Sequence, residues 1–242
     1  MRTTGADGIS SYEAGFVKLE KRFSGGFSFL THYTFGKALD YSSQVNETTR
    51  NVFNPRMSKG RSLFDIRNRS VFSATYELPL GSGKRYLSSR GLASQVLGNW
   101  QANTIISLQS GFPYYVAAPG DSCNCGASSQ TATQVENPLS GFTQSRLKWF
   151  NTSAFALPAT GTFGTSGRNI LSGPWQDSVS VSLFKIVQVK ENIRLQIRGE
   201  FFNVLNRVNF GLPGSTVATP TYGVITSAGD ARVIQVALRL AF

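Results

Sequence analysis

Few residues in this chain have the types and spacing that chemistry needs. Cys123 and Cys125, the two cysteines of the sequence, stand one residue apart in a C-N-C. Such a pair offers two thiolates to a metal but lacks the third and fourth ligands of a zinc site. In an oxidising compartment it is suited to a local disulfide, and pairing with a cysteine outside the chain stays open beside that. His32 is the single histidine, which excludes His-rich metal sites and leaves a solvated or hydrogen-bonded ring as the expectation. No G-x-S-x-G, H-E-x-x-H, P-loop or G-x-G-x-x-G pattern occurs. No Ser/His/Asp or paired-carboxylate set singles itself out. The expectation is a protein that is not an enzyme, with no catalytic residue, cofactor or metal.

The remaining polar groups are mostly cations. The 242 residues carry 24 Lys+Arg against 13 Asp+Glu, a net charge of +11. They are scattered and never form a run of five, whereas nucleic-acid binders gather them into a patch or helix face. No nucleic-acid partner is expected. A basic surface fits lipopolysaccharide phosphates or an anionic solute. Charged residues make up only 15 %, below the roughly 25 % of soluble domains, while aromatics reach 12 % with 18 Phe. No run of 18 apolar residues is present, so no helix is expected to cross a bilayer. A barrel strand needs apolar residues only at alternate positions, and the mean hydropathy of −0.12 is compatible with that.

The elements that carry these groups alternate with a period of two, the signature of half-buried strands. Ile234, Val236, Leu238, Leu240 and Phe242 oppose Val233, Gln235, Ala237, Arg239 and Ala241. Ile193, Leu195, Ile197 and Phe201 oppose Arg194, Gln196, Arg198 and Glu200. The same pattern places Val179, Val181 and Leu183 against Ser178, Ser180 and Ser182, and Trp100 to Leu108 against Gln101, Asn103 and Gln109. It continues with Phe72, Ala74 and Tyr76 against Arg69, Ser73 and Thr75, and with Phe27, Phe29, Tyr33 and Phe35 against Ser28, His32 and Thr34. Val17 and Leu19 oppose Lys18 and Glu20. About seven strands follow, and Pro113 to Ala118 offers room for one more.

Short turns at 24–26 and 187–191 and a moderate one at 79–96 alternate with long polar loops at about 41–65, 110–175 and 204–230. That asymmetry describes a transmembrane barrel with its C-terminus on the periplasmic side and its long loops outside. The fold class expected is all-β, an antiparallel transmembrane barrel segment occupying residues 1–242. Tyr12, Phe16, Phe23, Phe27, Phe35, Tyr76 and Phe242 are placed near strand ends as interfacial girdle residues. A cation on the lipid face near the midplane costs about 2–4 kcal/mol, so Arg67, Arg69, Arg194, Arg198 and Glu200 are expected to face the lumen. Single-chain bacterial barrels use even strand numbers, and open edges are not tolerated in lipid. With no signal-peptide pattern in the opening residues, the odd count points to strands preceding Met1.

The stretch GRNILSGPWQDSVSVSLFKIVQVKENIRLQIRGEFFNVLNRVNFG, with the closing ARVIQVALRLAF, resembles the C-terminus of TonB-dependent receptors. Within that family it resembles the Oar-like type, which carries a carboxypeptidase-regulatory-like domain. FLTHYTFGKALDYSS, FDIRNRSVFSATYELPLGSGKRY and NWQANTIISLQSGFPY resemble preceding strands of the same family, so the likeness runs from about Tyr12 to Phe242. It implies a barrel of about 22 strands, of which this chain would be the C-terminal portion. It also implies a plug and a TonB box, neither visible here, and solute uptake across the outer membrane through the TonB complex. Outer-membrane proteins end on an alternating apolar strand with a final aromatic that the barrel assembly machinery recognises. On this chain that assembly signal maps to Val236, Leu238, Leu240 and Phe242. Trp149, Phe150 and Trp175, in the longest loop, are candidates for contact with an apolar or sugar-like ligand or for interfacial anchoring. Two alternatives stay open: a small stand-alone outer-membrane barrel with a porin or adhesion role, and a secreted β-sandwich binding module.

Overall fold

A computed structural model of the chain describes residues 8–44, 51, 54–88, 91–126, 129–190 and 192–242. Its architecture is one antiparallel sheet whose long strands follow one another in chain order. They are β1 (Ser10–Ser24), β2 (Phe27–Asp40), β3 (Asn68–Glu77), β4 (Trp100–Gln109), β5 (Gln176–Lys190), β6 (Ile193–Phe202) and β7 (Val233–Ala241). The seven strands match the number expected from alternation. The short segments Pro113–Tyr114 and Ala117–Pro119 do form β-ladders, but with Leu171–Ser172 and Ser129–Thr131 rather than with the wall. Among the described residues no second sheet of comparable length faces the first, which removes the β-sandwich alternative.

The register explains why the sequence alternates. Residues directly opposite in neighbouring strands share a face, so one row can be followed across the whole wall. Lys21, Phe29, Ala74, Thr104, Val181, Phe201 and Ile234 are linked pair by pair. Tyr33, Phe35, Phe72, Tyr76, Ile106, Leu183, Ile197, Leu238 and Leu240 lie on this same apolar face. The adjacent row holds Ser28, Thr75, Asn103, Ser182, Glu200 and Gln235. A slip of one residue would exchange every one of these side chains between faces.

Phe16 and Tyr12 depart from the girdle expectation. Phe16 sits in the middle of β1 and, through its pairing with Thr34, on the polar face. Its ring meets His32 with centroids 5.6 Å apart. Tyr12 lies on that face too, its ring over Gly36, where an added Cβ would meet the hydroxyl at 3.0 Å.

The connections divide cleanly between the two ends of the sheet. At one end β1 and β2 are joined through Gly25 and Gly26, both with positive φ (63° and 81°), the conformation a two-residue hairpin of the favoured twist demands. The link from β5 to β6 is equally short, and the link from β3 to β4 holds a small helix, α1 (Leu92–Leu97). At the other end lie 41–67, 110–175 and 203–232. β1 and β7 both run from the long-loop end to the short-turn end, and no described strand pairs with the outer edge of either.

Candidate functional site

While Val236, Leu238 and Leu240 of the last strand lie on the apolar face, the polar face gathers four of the five residues expected to face the lumen. Arg69 on β3 is on it, as are Arg194, Arg198 and Glu200 on β6, with Gln196 facing Arg239 across the last pair of strands. Arg198 approaches Glu200 at 3.6 Å and Lys18 approaches Glu20 at 2.9 Å. Solvated pairs of this kind contribute about 0–1 kcal/mol, so these side chains are held loosely. His32 is in the same face, its Nδ1 3.4 Å from the Thr34 hydroxyl. Arg67 is placed differently: it precedes β3, and its Nε donates to Asp65 at 3.2 Å.

Asp65 opens a second arrangement, at the long-loop rim, that alternation gave no sign of. Its carboxylate is almost wholly buried and accepts from Arg61 Nε at 2.8 Å, from Arg67 Nε, and from the Ala38 backbone N–H at 2.7 Å. Burial alone would raise its pKa; the Ala38 N–H and the two guanidinium groups outweigh it and hold the carboxyl below the ordinary aspartate value. Beside it the buried Arg168 donates to the carboxylate of Asp40, 128 residues earlier in sequence, and, at 2.8 Å, to Ser43 Oγ. Asn169 Nδ2 donates to the Arg61 carbonyl at 2.6 Å. Gly60 is needed here: a Cβ on it would stand 2.6 Å from the Arg168 carbonyl. Two loops and the end of β2 are thereby locked by buried, paired charges, which is the condition under which buried charge is tolerated.

The loops beyond this lock fold against one another. Tyr114, Val116, Ala118, Ala132, Phe150, Ala154, Phe155 and Leu171 from 110–175, together with Val217 from 203–232, form a buried cluster with Trp149 and Tyr222 packed on it. Phe150 is its centre, 1 % exposed, with ring centroids 5.3 Å from Tyr222, 5.9 Å from Phe155 and 6.1 Å from Tyr114. Burial pushes the Tyr222 hydroxyl up to about 12. Ladder bonds tie the loops together, among them Ala117 N to Ser215 O at 2.8 Å and Val217 N to Ala117 O at 2.8 Å. Phe150 is therefore a core residue of a loop cap and not a ligand contact. Trp149 packs on the same core and donates its indole N–H to the Ser172 carbonyl at 3.0 Å. Trp175 alone of the three is exposed, at 61 %.

Cys123 and Cys125 are bonded to each other at the edge of this cap. Asp121 organises the turn that holds them, accepting from the backbone N–H groups of Cys125 at 3.0 Å and Gly126 at 2.7 Å. The Asp121 carboxylate and both sulfurs converge within 4.8 Å. The disulfide removes the thiolates that a metal would need, so in this state the cluster is a covalent staple.

Sequence reasoning did not anticipate Asp40, Asp65, Arg168 and Asn169. In a chain with only 15 % charge, acidic residues beside loop arginines were the one available sign. Lys185 was also missed. Its pairing with Trp100 and Ile197 sets it on the apolar face, against the rule that sends charges to the lumen.

The sequence profile of the family described as outer membrane beta barrel domain matches residues 1–235, nearly the whole wall. No curated protein matches the chain. One continuous apolar face, an opposite polar face and long loops confined to one end agree with that match, and the chain belongs to the outer membrane β-barrel domain family, placing it in the outer membrane.

Proposed function

We propose that these seven strands are part of the barrel wall of a TonB-dependent transporter that takes up a solute across the outer membrane. The polar face lines the lumen, and the loop cap stands at the outer mouth. The observation that carries the reading is the direction of the two open edges. β1 and β7 run the same way, so joining them would create a parallel pair in an otherwise antiparallel sheet. An odd number of further strands is needed to close the wall, giving the even total of such barrels. That argues against the stand-alone small barrel with a porin or adhesion role. The likeness of EFFNVLNRVNFG and the final strand to TonB-dependent receptors supplies the transport assignment, Oar-like in type.

In this reading no residue is catalytic and no cofactor is held. Arg69, Arg194, Arg198 and Glu200 face the lumen water and whatever fills it, while Arg67 serves the rim lock. The partners are outer-membrane lipid and lipopolysaccharide, the barrel assembly machinery through Val236, Leu238, Leu240 and Phe242, and the TonB complex through parts of the transporter outside these strands. Nucleic acid is not among them. Cross-linking tests the closure. Cysteines at Val17 and Val236, on the outer strands, stay unlinked in the folded membrane protein if other strands intervene. An efficient Val17–Val236 cross-link would establish a closed seven-strand ring and overturn the proposal. Solute uptake abolished by collapsing the proton gradient would support TonB coupling, and uptake indifferent to it would remove that part.

A further inference from the structure

The link between β3 and β4 straddles the short-turn rim of the wall. One arm stays on the polar side, where Lys84 Nζ donates to Glu77 at 2.6 Å, Glu77 sharing the polar face with Gln101. The other arm, α1, is fastened to the opposite side. Lys185 is on the apolar face yet only 5 % exposed, because its ammonium donates to the Gln95 carbonyl and, at 3.2 Å, to the Val96 carbonyl. Trp100, its neighbour on that face, donates its indole N–H to the same Val96 carbonyl at 3.0 Å. The C-terminal carbonyls of α1 are thus capped by two side chains that belong to the lipid-facing side of the wall. The helix returns to the rim through a backbone contact too close for side chains, since a Cβ on Gly98 would stand 2.5 Å from Gly81.

Held this way, α1 presents Leu92, Val96 and Leu97 outward, exposed by 80, 65 and 53 %. Ser94 is the buried residue of the helix. The exposed aliphatics continue the apolar belt of Leu183, Ile197 and Leu238 past the end of the strands. About 9–11 strand residues cross the hydrocarbon layer, so the ten-residue β4 that starts at Trp100 puts that indole at the boundary and α1 just beyond it. Trp and Lys are the side chains that occupy this level. We infer that α1 is a membrane-seating foot, with Leu92, Val96 and Leu97 inserted at the headgroup–acyl boundary of the periplasmic phospholipid leaflet and Lys185 and Trp100 fixing the helix to the wall. The inference holds for any function of the barrel.

The test uses the folded protein in vesicles of phosphatidylethanolamine and phosphatidylglycerol, oxidised so that the Cys123–Cys125 bond is kept. A bimane fluorophore is attached at Leu92→Cys, at Val96→Cys as a second site, and at Ser82→Cys on the polar-side arm. With lipids carrying a nitroxide near the headgroup, both helix labels are expected to lose about half their emission or more, as interfacial insertion requires, and to be shielded from aqueous iodide. The Ser82 label is expected to behave in the opposite way. Iodide quenching at positions 92 and 96 equal to that at 82, without lipid quenching, would put the helix in water and overturn the inference. Protection from both quenchers would mean that protein covers the helix, and would overturn it equally.

Discussion

Replacing Phe150 by alanine separates a folded loop cap from a set of loops waiting for a ligand. The ring is 1 % exposed and touches Tyr114, Phe155 and Tyr222. A buried Phe removes about 150–250 Å² from water, worth about 4–6 kcal/mol at about 25 cal/mol per Å². Truncations of buried Phe cost about 3–5 kcal/mol, so about 4 kcal/mol is the working figure. At about 1.4 kcal/mol per tenfold, local opening of the cap becomes about a thousandfold more frequent. The wall does not depend on this residue, so the variant and the parent protein should give the same gel mobility before and after heating. Hydrogen exchange reads the difference. The amides of Ala132, Val135, Ser166 and Val217, which bond to Val116, Ala154, Ala132 and Ala117, should lose protection together, because the two loops share one core. Amides in β4 and β5 should not change. Trp175→Ala, at an exposed position, should shift the same amides by less than about 0.5 kcal/mol. Unaltered exchange in Phe150→Ala would refute the cap as a cooperative unit.

Three further outcomes follow from the rim and the final strand. Asp65→Asn leaves Arg61 and Arg67 facing a neutral group, and removing one partner of a buried pair costs about 3–5 kcal/mol; with both arginines partly exposed the expected loss is nearer about 2, read as faster proteolysis of 54–67. Because the folded pKa of Asp65 is depressed, its contribution is fully present above the unfolded value and is lost as pH falls through the folded one. Rim protection should therefore be flat from neutrality down to about pH 5, then fall below about pH 4, and the acid step should shrink in Asp65→Asn, the remainder coming from Asp40, whose carboxyl is likewise held low beside Arg168. Lys185→Met removes a charged donor to two carbonyls, worth about 1.5–3 kcal/mol, and should raise exchange in 91–97 with the wall intact. Deleting Phe242, which is almost fully exposed, should slow insertion in cells while leaving detergent refolding unchanged; equal loss in both settings would make its role structural.

The wall was readable because two immiscible surroundings impose it residue by residue. Val179, Val181 and Leu183 had to alternate with Ser178, Ser180 and Ser182 once one face met lipid and the other water. Gly25-Gly26 and the long polar stretches gave the polarity of the ends in the same local way. The cap was not readable because its core has no period. Phe150 and Val217 lie on different loops, and nothing near either one marks it as buried. The lock is hidden for a related reason: Asp40 and Arg168 meet only after the wall has brought their loops to one rim. Lys185 escaped a rule that is sound for open lipid, because α1 supplies the carbonyls that lipid lacks. Phe16 shows the converse, an aromatic on the polar face whose partner is His32.

The central claim, that the sheet is a membrane wall with one face to lipid and one to water, is tested most directly along β6. Nitroxides placed singly from Arg194 to Phe201 report collisions with oxygen, which concentrates in lipid, and with a water-soluble nickel chelate. Leu195, Ile197, Gly199 and Phe201 share the apolar face; Arg194, Gln196, Arg198 and Glu200 share the other. The account predicts that the two accessibilities alternate out of phase with a period of two, oxygen at the odd positions and nickel at the even ones. Equal access of the nickel chelate to both sets in the reconstituted protein would contradict it.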